Sequence, residues 1–201
     1  MNLKFLCSVV FMLCLNQNIQ AQYVEKEEEE KITTLYPEVV FDSIQAKKAL
    51  ALGKGKITGV AFTRPIFSQP RIYAGNIKIV LFPVTPYFEA WYKLRKSKEN
   101  LKKRRYVYMS DVAYKYRLEA ITNSAGKFTF PDMKPGKYFL QGFMTWSSTG
   151  SYDQLTGTSY GSYGTQANHY EKKYYTVDHN ERLEEFVEIK EDGEVVKVKL
   201  K

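Results

Sequence analysis

Apolar and polar positions alternate with a period of two along much of the chain from Lys54 onward. In NIKIVLFP, Ile77, Ile79 and Leu81 share one side and Lys78 and Val80 the other. The same alternation places Phe128 with Phe130, Tyr138 with Leu140 and Met144, and Val196 with Val198 and Leu200, the last set against Lys197, Lys199 and Lys201. A period of two is the mark of a half-buried strand. Strands are therefore expected near Lys56–Thr63, in NIKIVLFP, near Lys127–Phe130, over Lys137–Trp146, near Tyr170–Val177, and in RLEEFVEIK and EVVKVKLK. Asp192-Gly193 between the last two is a favoured tight-turn pair and predicts a hairpin. About seven short strands separated by turn signals predict a mainly β protein, an antiparallel sandwich.

Two stretches break the alternation. Around PYFEAWYKLRKSKENLKKRRY, Phe88, Trp91, Leu94 and Leu101 fall near helical spacing, which predicts a helical insertion within residues 84–118. Val80, Phe82, Phe139 and Phe143 all point away from the sandwich core, so this helix is expected to cover them. Lys93–Arg105 holds eight positive charges in 13 residues. Its end, Lys102, Lys103, Arg104 and Arg105, is a candidate anion-binding or peripheral membrane-surface patch; the alternative is a solvated lysine face. Residues 147–169 are rich in Gly, Ser, Thr and Tyr and almost uncharged. This reads as a long loop, either disordered or functional. Trp146, Tyr152, Tyr160 and Tyr163 are its candidate ligand or partner contacts, because aromatic rings on a polar loop stack on sugars or on protein.

The N-terminal region belongs to another class. Met1–Ala21 has an early Lys4 and an apolar run from Phe5 to Leu15, and reads as a secretory signal peptide ending at small Ala21. The run is shorter than the ~20 residues of a membrane span. An uncleaved anchor is the alternative; a lipoprotein site at Cys14 would need small residues where Phe11-Met12-Leu13 stand. Cys7 and Cys14 both lie in this segment, so the exported chain would have no cysteine and would rest on its packed core. Residues 22–53 form an acidic leader and a short helix capped by Asp42 or Ser43. The leader carries seven acidic and four basic residues, whereas residues 54–201 carry 25 basic and 15 acidic. A basic body favours anionic partners, and export to the periplasm, outer surface or medium removes nucleic acid from the candidates.

Particular residues then carry a resemblance. Gly55-x-Ile57-x-Gly59-x-Ala61 is followed by Ile77-x-Ile79-x-Leu81, and then by Thr122-x-x-x-Gly126-x-Phe128-x-Phe130-x-x-Met133-x-Pro135-Gly136-x-Tyr138-x-Leu140. This pattern resembles the carboxypeptidase regulatory-like domain, a transthyretin-like (prealbumin-like) β-sandwich, across Lys54–Trp146. The resemblance implies a scaffold module found on carboxypeptidases, outer-membrane receptors and surface proteins, usually without activity of its own. The insertion between Pro83 and Glu119 departs from that pattern.

Nothing in the sequence demands catalysis. The exported chain offers His169 and His179, with no HxH, HExxH or GxSxG spacing. Intradiol dioxygenases on the related fold carry a paired histidine motif that is missing here, and hydroxyisourate hydrolases end in YRGS where this chain ends in KVKLK. The expectation is a non-enzymatic envelope binding or assembly module without cofactor. Its partner would be an envelope protein or a polysaccharide, the second through the loop aromatics.

Overall fold

The computed structural model describes residues 32–65 and 70–201; the expected signal peptide, both cysteines and the EKEEEEK run lie outside the described residues. The strands are β1 (Thr33–Leu35), β2 (Gly55–Thr63), β3 (Ile72–Tyr73), β4 (Lys78–Pro83), β5 (Arg105–Val107), β6 (Leu118–Ile121), β7 (Lys127–Met133), β8 (Gly136–Tyr160), β9 (Gln166–Ile189) and β10 (Val195–Leu200). The helices are α1 (Ser43–Ala49), α2 (Pro86–Lys98) and α3 (Asp111–Lys115).

Two sheets share one core. In the first, β2 pairs with β10, β7 and β3; the second runs β6-β4-β8-β9. The alternating rows read from the sequence supply the filling. Ile57, Phe128, Phe130 and Leu200 enter from one sheet, and Ile79, Leu81, Tyr138, Leu140, Leu183 and Ile189 from the other, all buried. The Thr122–Gly126 turn is held by short-range polar chemistry. Thr122 Oγ1, buried, donates to Ala74 O at 2.6 Å and accepts from Ile77 N at 2.9 Å. Asn123 Oδ1 accepts from Ala125 N and Lys127 N, and Gly126 closes the turn at φ 71°. Tyr138 is buried to its hydroxyl, whose proton is shared between Lys134 O at 2.8 Å and Ala49 O at 3.1 Å. That bond ties α1 to the core, and burial raises the phenol's pKa above the ordinary tyrosine value. Asp42 caps α1 as expected, accepting from Ile44 N and Gln45 N.

The end of the chain corrects the sequence reading. The strands flanking Asp192-Gly193 are not hairpin partners: β10 leaves the sheet of β9 and pairs in parallel with β2, Val196 beside Ile57 and Leu200 beside Ala61. Each strand has one apolar row. Placed in opposite sheets, the two rows bury each other across the core, and β10 also closes an open edge of β2. The turn is held by Lys54 N donating to Asp192 Oδ1 and Lys190 N to Glu194 Oε2. The sheets are thus antiparallel except at β10–β2, and a separate parallel pair joins β1 to β5.

The insertion is a helix followed by a strand and a short helix. Thr85 caps α2, with Pro86 in its first turn. Phe88 and Trp91 sit with Phe82, Phe139 and Val107 in a second core on the outer face of the β4–β8 sheet. Val80 and Leu94 pack at its border. The expected cover therefore forms over Val80, Phe82 and Phe139. It does not reach Phe143, which stays 61% exposed. Leu101 is also off the helix, because α2 ends at Lys98.

Arg95 is the charged residue of this second core. Its guanidinium lies over the rings of Trp91, Tyr92 and Phe139, at 4.5, 5.1 and 5.8 Å from their centroids. Arg95 Nη2 is 2.7 Å from Glu184 Oε1, an ion pair without hydrogen-bond alignment. Burial outweighs the pull of Glu184 and moves the guanidinium's pKa below its ordinary value.

Candidate functional site

The residues read as a loop at 147–169 form most of a β-ribbon instead. Strands β8 and β9 pair from Gly136↔Ile189 out to Tyr160↔Gln166, and the turn between them holds a short 3-10 segment, Ser162–Gly164. Among the described residues no third strand pairs with the ribbon beyond Gly142, so two strands of roughly 45 Å continue past Trp146 alone. The composition misleads because Ser and Gly suggest a loop. Thr and Tyr, however, are good strand formers, and across the ladder they find partners. Thr145 Oγ1 donates to Asn180 Oδ1 at 2.8 Å, Ser147 Oγ to Asp178 Oδ1 at 2.6 Å and Thr158 Oγ1 to Asn168 Oδ1 at 3.0 Å.

Strand alternation gives the ribbon two faces. The face that continues the core side begins at Trp146 and its cross-strand partner His179. Their rings stack at 4.0 Å between centroids and 14° between planes. Trp146 Nε1 donates to Glu181 Oε1 at 2.8 Å, and His179 Nε2 pairs with Ser148 Oγ at 2.9 Å. Two pairs outward on this face, past Ser148 and Val177, Tyr175 lies across Gly150. A Cβ at Gly150 would stand 2.4 Å from Tyr175 Cζ, so the absent side chain is what lets the ring lie flat on the strand. Tyr152 follows, 6.3 Å from Tyr175 between centroids. The row ends on the Lys173–Glu171 ion pair at 2.8 Å. Trp146, His179, Tyr175 and Tyr152 thus form one aromatic stripe, half-buried at the base and open to solvent farther out.

Of the contacts expected from the sequence, Trp146 and Tyr152 come together on this stripe. Tyr160 lies on the opposite face, and Tyr163 stands in the end turn at φ 69°. His179 and Tyr175 complete the stripe. The alternation Tyr175-x-Val177-x-His179, extended through the register to Trp146, was the signal that could have found them. His169 bonds Ser159 Oγ at 2.9 Å and lies on the stripe's side of the ribbon, ten residues from His179. Among the described residues, no group of three or more His, Cys, Asp or Glu could hold a metal ion.

The basic run is placed differently from the expectation. Lys102, Lys103 and Arg104 lie exposed on a turn after α2, and Arg105 begins β5. Lys103 N donates to Asn100 Oδ1 and Arg104 N to Leu101 O. The four cations therefore gather at one turn and do not line a helix face. Among the described residues no helix is long and apolar enough to cross a membrane.

The ribbon offers two means of attachment. Flat rings on an open face stack on sugar rings or apolar side chains. Each strand of a two-stranded ribbon also has an outer edge of unpaired backbone groups, on which an added strand can dock.

No family model and no curated protein matches the sequence. Among solved structures, the chain is similar to a crystal structure from Pseudomonas aeruginosa of a protein provisionally described as carbohydrate binding. The TM-score is 0.56 and the identity 21%, covering 81% of this chain and 97% of that one. At that identity the likeness is one of fold.

Proposed function

We propose that this chain is a non-enzymatic, exported binding or assembly module of the cell envelope. It would be a transthyretin-like sandwich of the carboxypeptidase regulatory-like kind, with the β8–β9 ribbon as its contact. The observation that carries this reading is the ribbon itself. Past Trp146 it adds little to the core, yet it holds Tyr152, Tyr160, Tyr170, Tyr174 and Tyr175 each at least half exposed. Exposing that much aromatic surface on an arm away from the core is how contact surfaces are built.

A second reading takes the stripe as a polysaccharide platform. The stacked Trp146–His179 pair and the flat Tyr175 favour it, as does the description of the Pseudomonas aeruginosa protein of similar fold. One experiment separates the two. Mature Gln22–Lys201, and the same chain with residues 148–177 replaced by an Asn-Gly turn, are incubated with solubilised envelope. Retention of a protein by the full chain and not by the shortened one is the expected result. Retention of polysaccharide alone, lost with the ribbon, makes the second reading the function. Equal retention by both forms rejects the ribbon as the contact.

A further inference from the structure

The insertion covers only part of the outer sheet face. What it leaves open is a cavity of about 600 Å3, within the range of small-ligand pockets, about 300–1,000 Å3. The exposed rings that the second core leaves unburied converge here. Tyr108 and Tyr114 come from the insertion, Tyr36 from the segment after β1, and Phe143 from β8. These residues are distant in sequence, and the ribbon tip contributes none of them.

The floor is polar and its charges are already matched. Arg95 is paired with Glu184 at 2.7 Å, and Arg182 Nη1 donates to Glu99 Oε2 at 2.8 Å. Gln141 Nε2 donates to Glu184 Oε1 at 3.3 Å. Among the described residues, this leaves Arg95 Nη2, which has an ion pair but no aligned hydrogen bond, and Glu99 Oε1, Gln141 Oε1 and Arg182 Nη2 with unused hydrogen-bonding capacity. Asp111, at the start of α3, adds a carboxylate to the lining.

Each feature narrows the ligand. An apolar molecule would strip water from the floor and return no hydrogen bonds, which is costly. An anion would meet arginines already neutralised, with Asp111 near by. A neutral ring rich in hydroxyls fits both conditions: its C–H face stacks on Phe143 or Tyr108, and its hydroxyls satisfy the unused floor groups. We propose that the cavity formed by α2, β5, α3 and the outer face of β8–β9 is a binding site for a neutral saccharide. This site is separate from the ribbon stripe and does not depend on it.

The sequence supplies the reporter, because the chain has two tryptophans: Trp91 lines this cavity and Trp146 lies on the ribbon. In a Trp146→Phe background, Trp91 emission reads cavity occupancy alone. The full chain is first screened on an array of neutral and acidic glycans, and the best binder is then titrated. The expected result is binding of a neutral glycan that shifts Trp91 emission. Phe143→Ala or Tyr108→Ala should weaken it at least tenfold with an unchanged melting temperature, and shortening the ribbon to an Asn-Gly turn at residues 148–177 should leave it intact. Binding of acidic glycans only, no bound glycan, or affinity unchanged in both variants overturns the proposal. Binding lost with the ribbon but kept in both variants would assign the glycan to the stripe.

Discussion

Phe139→Ala is expected to lower the unfolding free energy by about 3–5 kcal/mol, the range for emptying a buried phenylalanine site. Phe139 is fully buried, with Phe88, Tyr92 and Phe186 rings at 5.1, 5.4 and 4.9 Å and the Arg95 guanidinium at 5.8 Å. Its loss leaves a hole under α2 and takes a ring from beneath a buried charge, so both packing and cation–π contact are lost. Against a typical total of about 5–15 kcal/mol, this is a large share. Urea unfolding followed by far-UV circular dichroism measures it. Phe143→Ala, four residues along the same outer row and largely exposed, serves as the control and should change stability by about 0.5 kcal/mol or less. A loss at Phe139 no larger than the control's would mean that α2 is not seated on the sheet.

Gly126→Ala should cost on the order of 3 kcal/mol, by a different cause. At φ 71° a residue with a Cβ is strained, and the new atom would stand 2.4 Å from Ala61 O. That carbonyl accepts from Ala74 N, while Ala61 N donates to Gly126 O, both across short backbone bonds. The clash therefore pushes on β2, β3 and the turn before β7 at once. Thermal unfolding measures it, and Ala125→Gly, one residue away in the same turn, is the comparison. If Gly126→Ala unfolds with its parent, the turn does not hold its left-handed geometry in solution.

Much of the body was legible in the sequence. The rows Ile79-x-Leu81, Phe128-x-Phe130 and Tyr138-x-Leu140 were readable because strand burial has a local period, and they fill the core as expected. Asp42 is a capping residue whose chemistry acts within three positions. Failures came where the deciding partner is distant. Asp192-Gly193 specifies a tight turn, but not which strand edge stands open, and β2 offered one. Phe143 lies on the row that α2 covers, yet the helix ends at Lys98 before reaching it. The ribbon was missed for a local reason. Ser and Gly favour a loop locally, while Thr149, Tyr152, Thr156 and Thr158 favour a strand once Gln166–Ile189 lies alongside. The cavity was not readable at all, since Tyr36, Tyr108, Phe143 and Arg182 meet only in the fold.

Contact through the ribbon is tested most directly by placing a photo-crosslinking amino acid at single positions in cells that express the protein. Tyr152 and Tyr163 report the ribbon; Tyr73, on β3 and about as exposed as Tyr152, reports the body. A discrete crosslinked envelope partner at Tyr152 and Tyr163, with none at Tyr73, is the expected result. Crosslinks at Tyr73 with none on the ribbon would contradict it and move the contact to the two-sheet body.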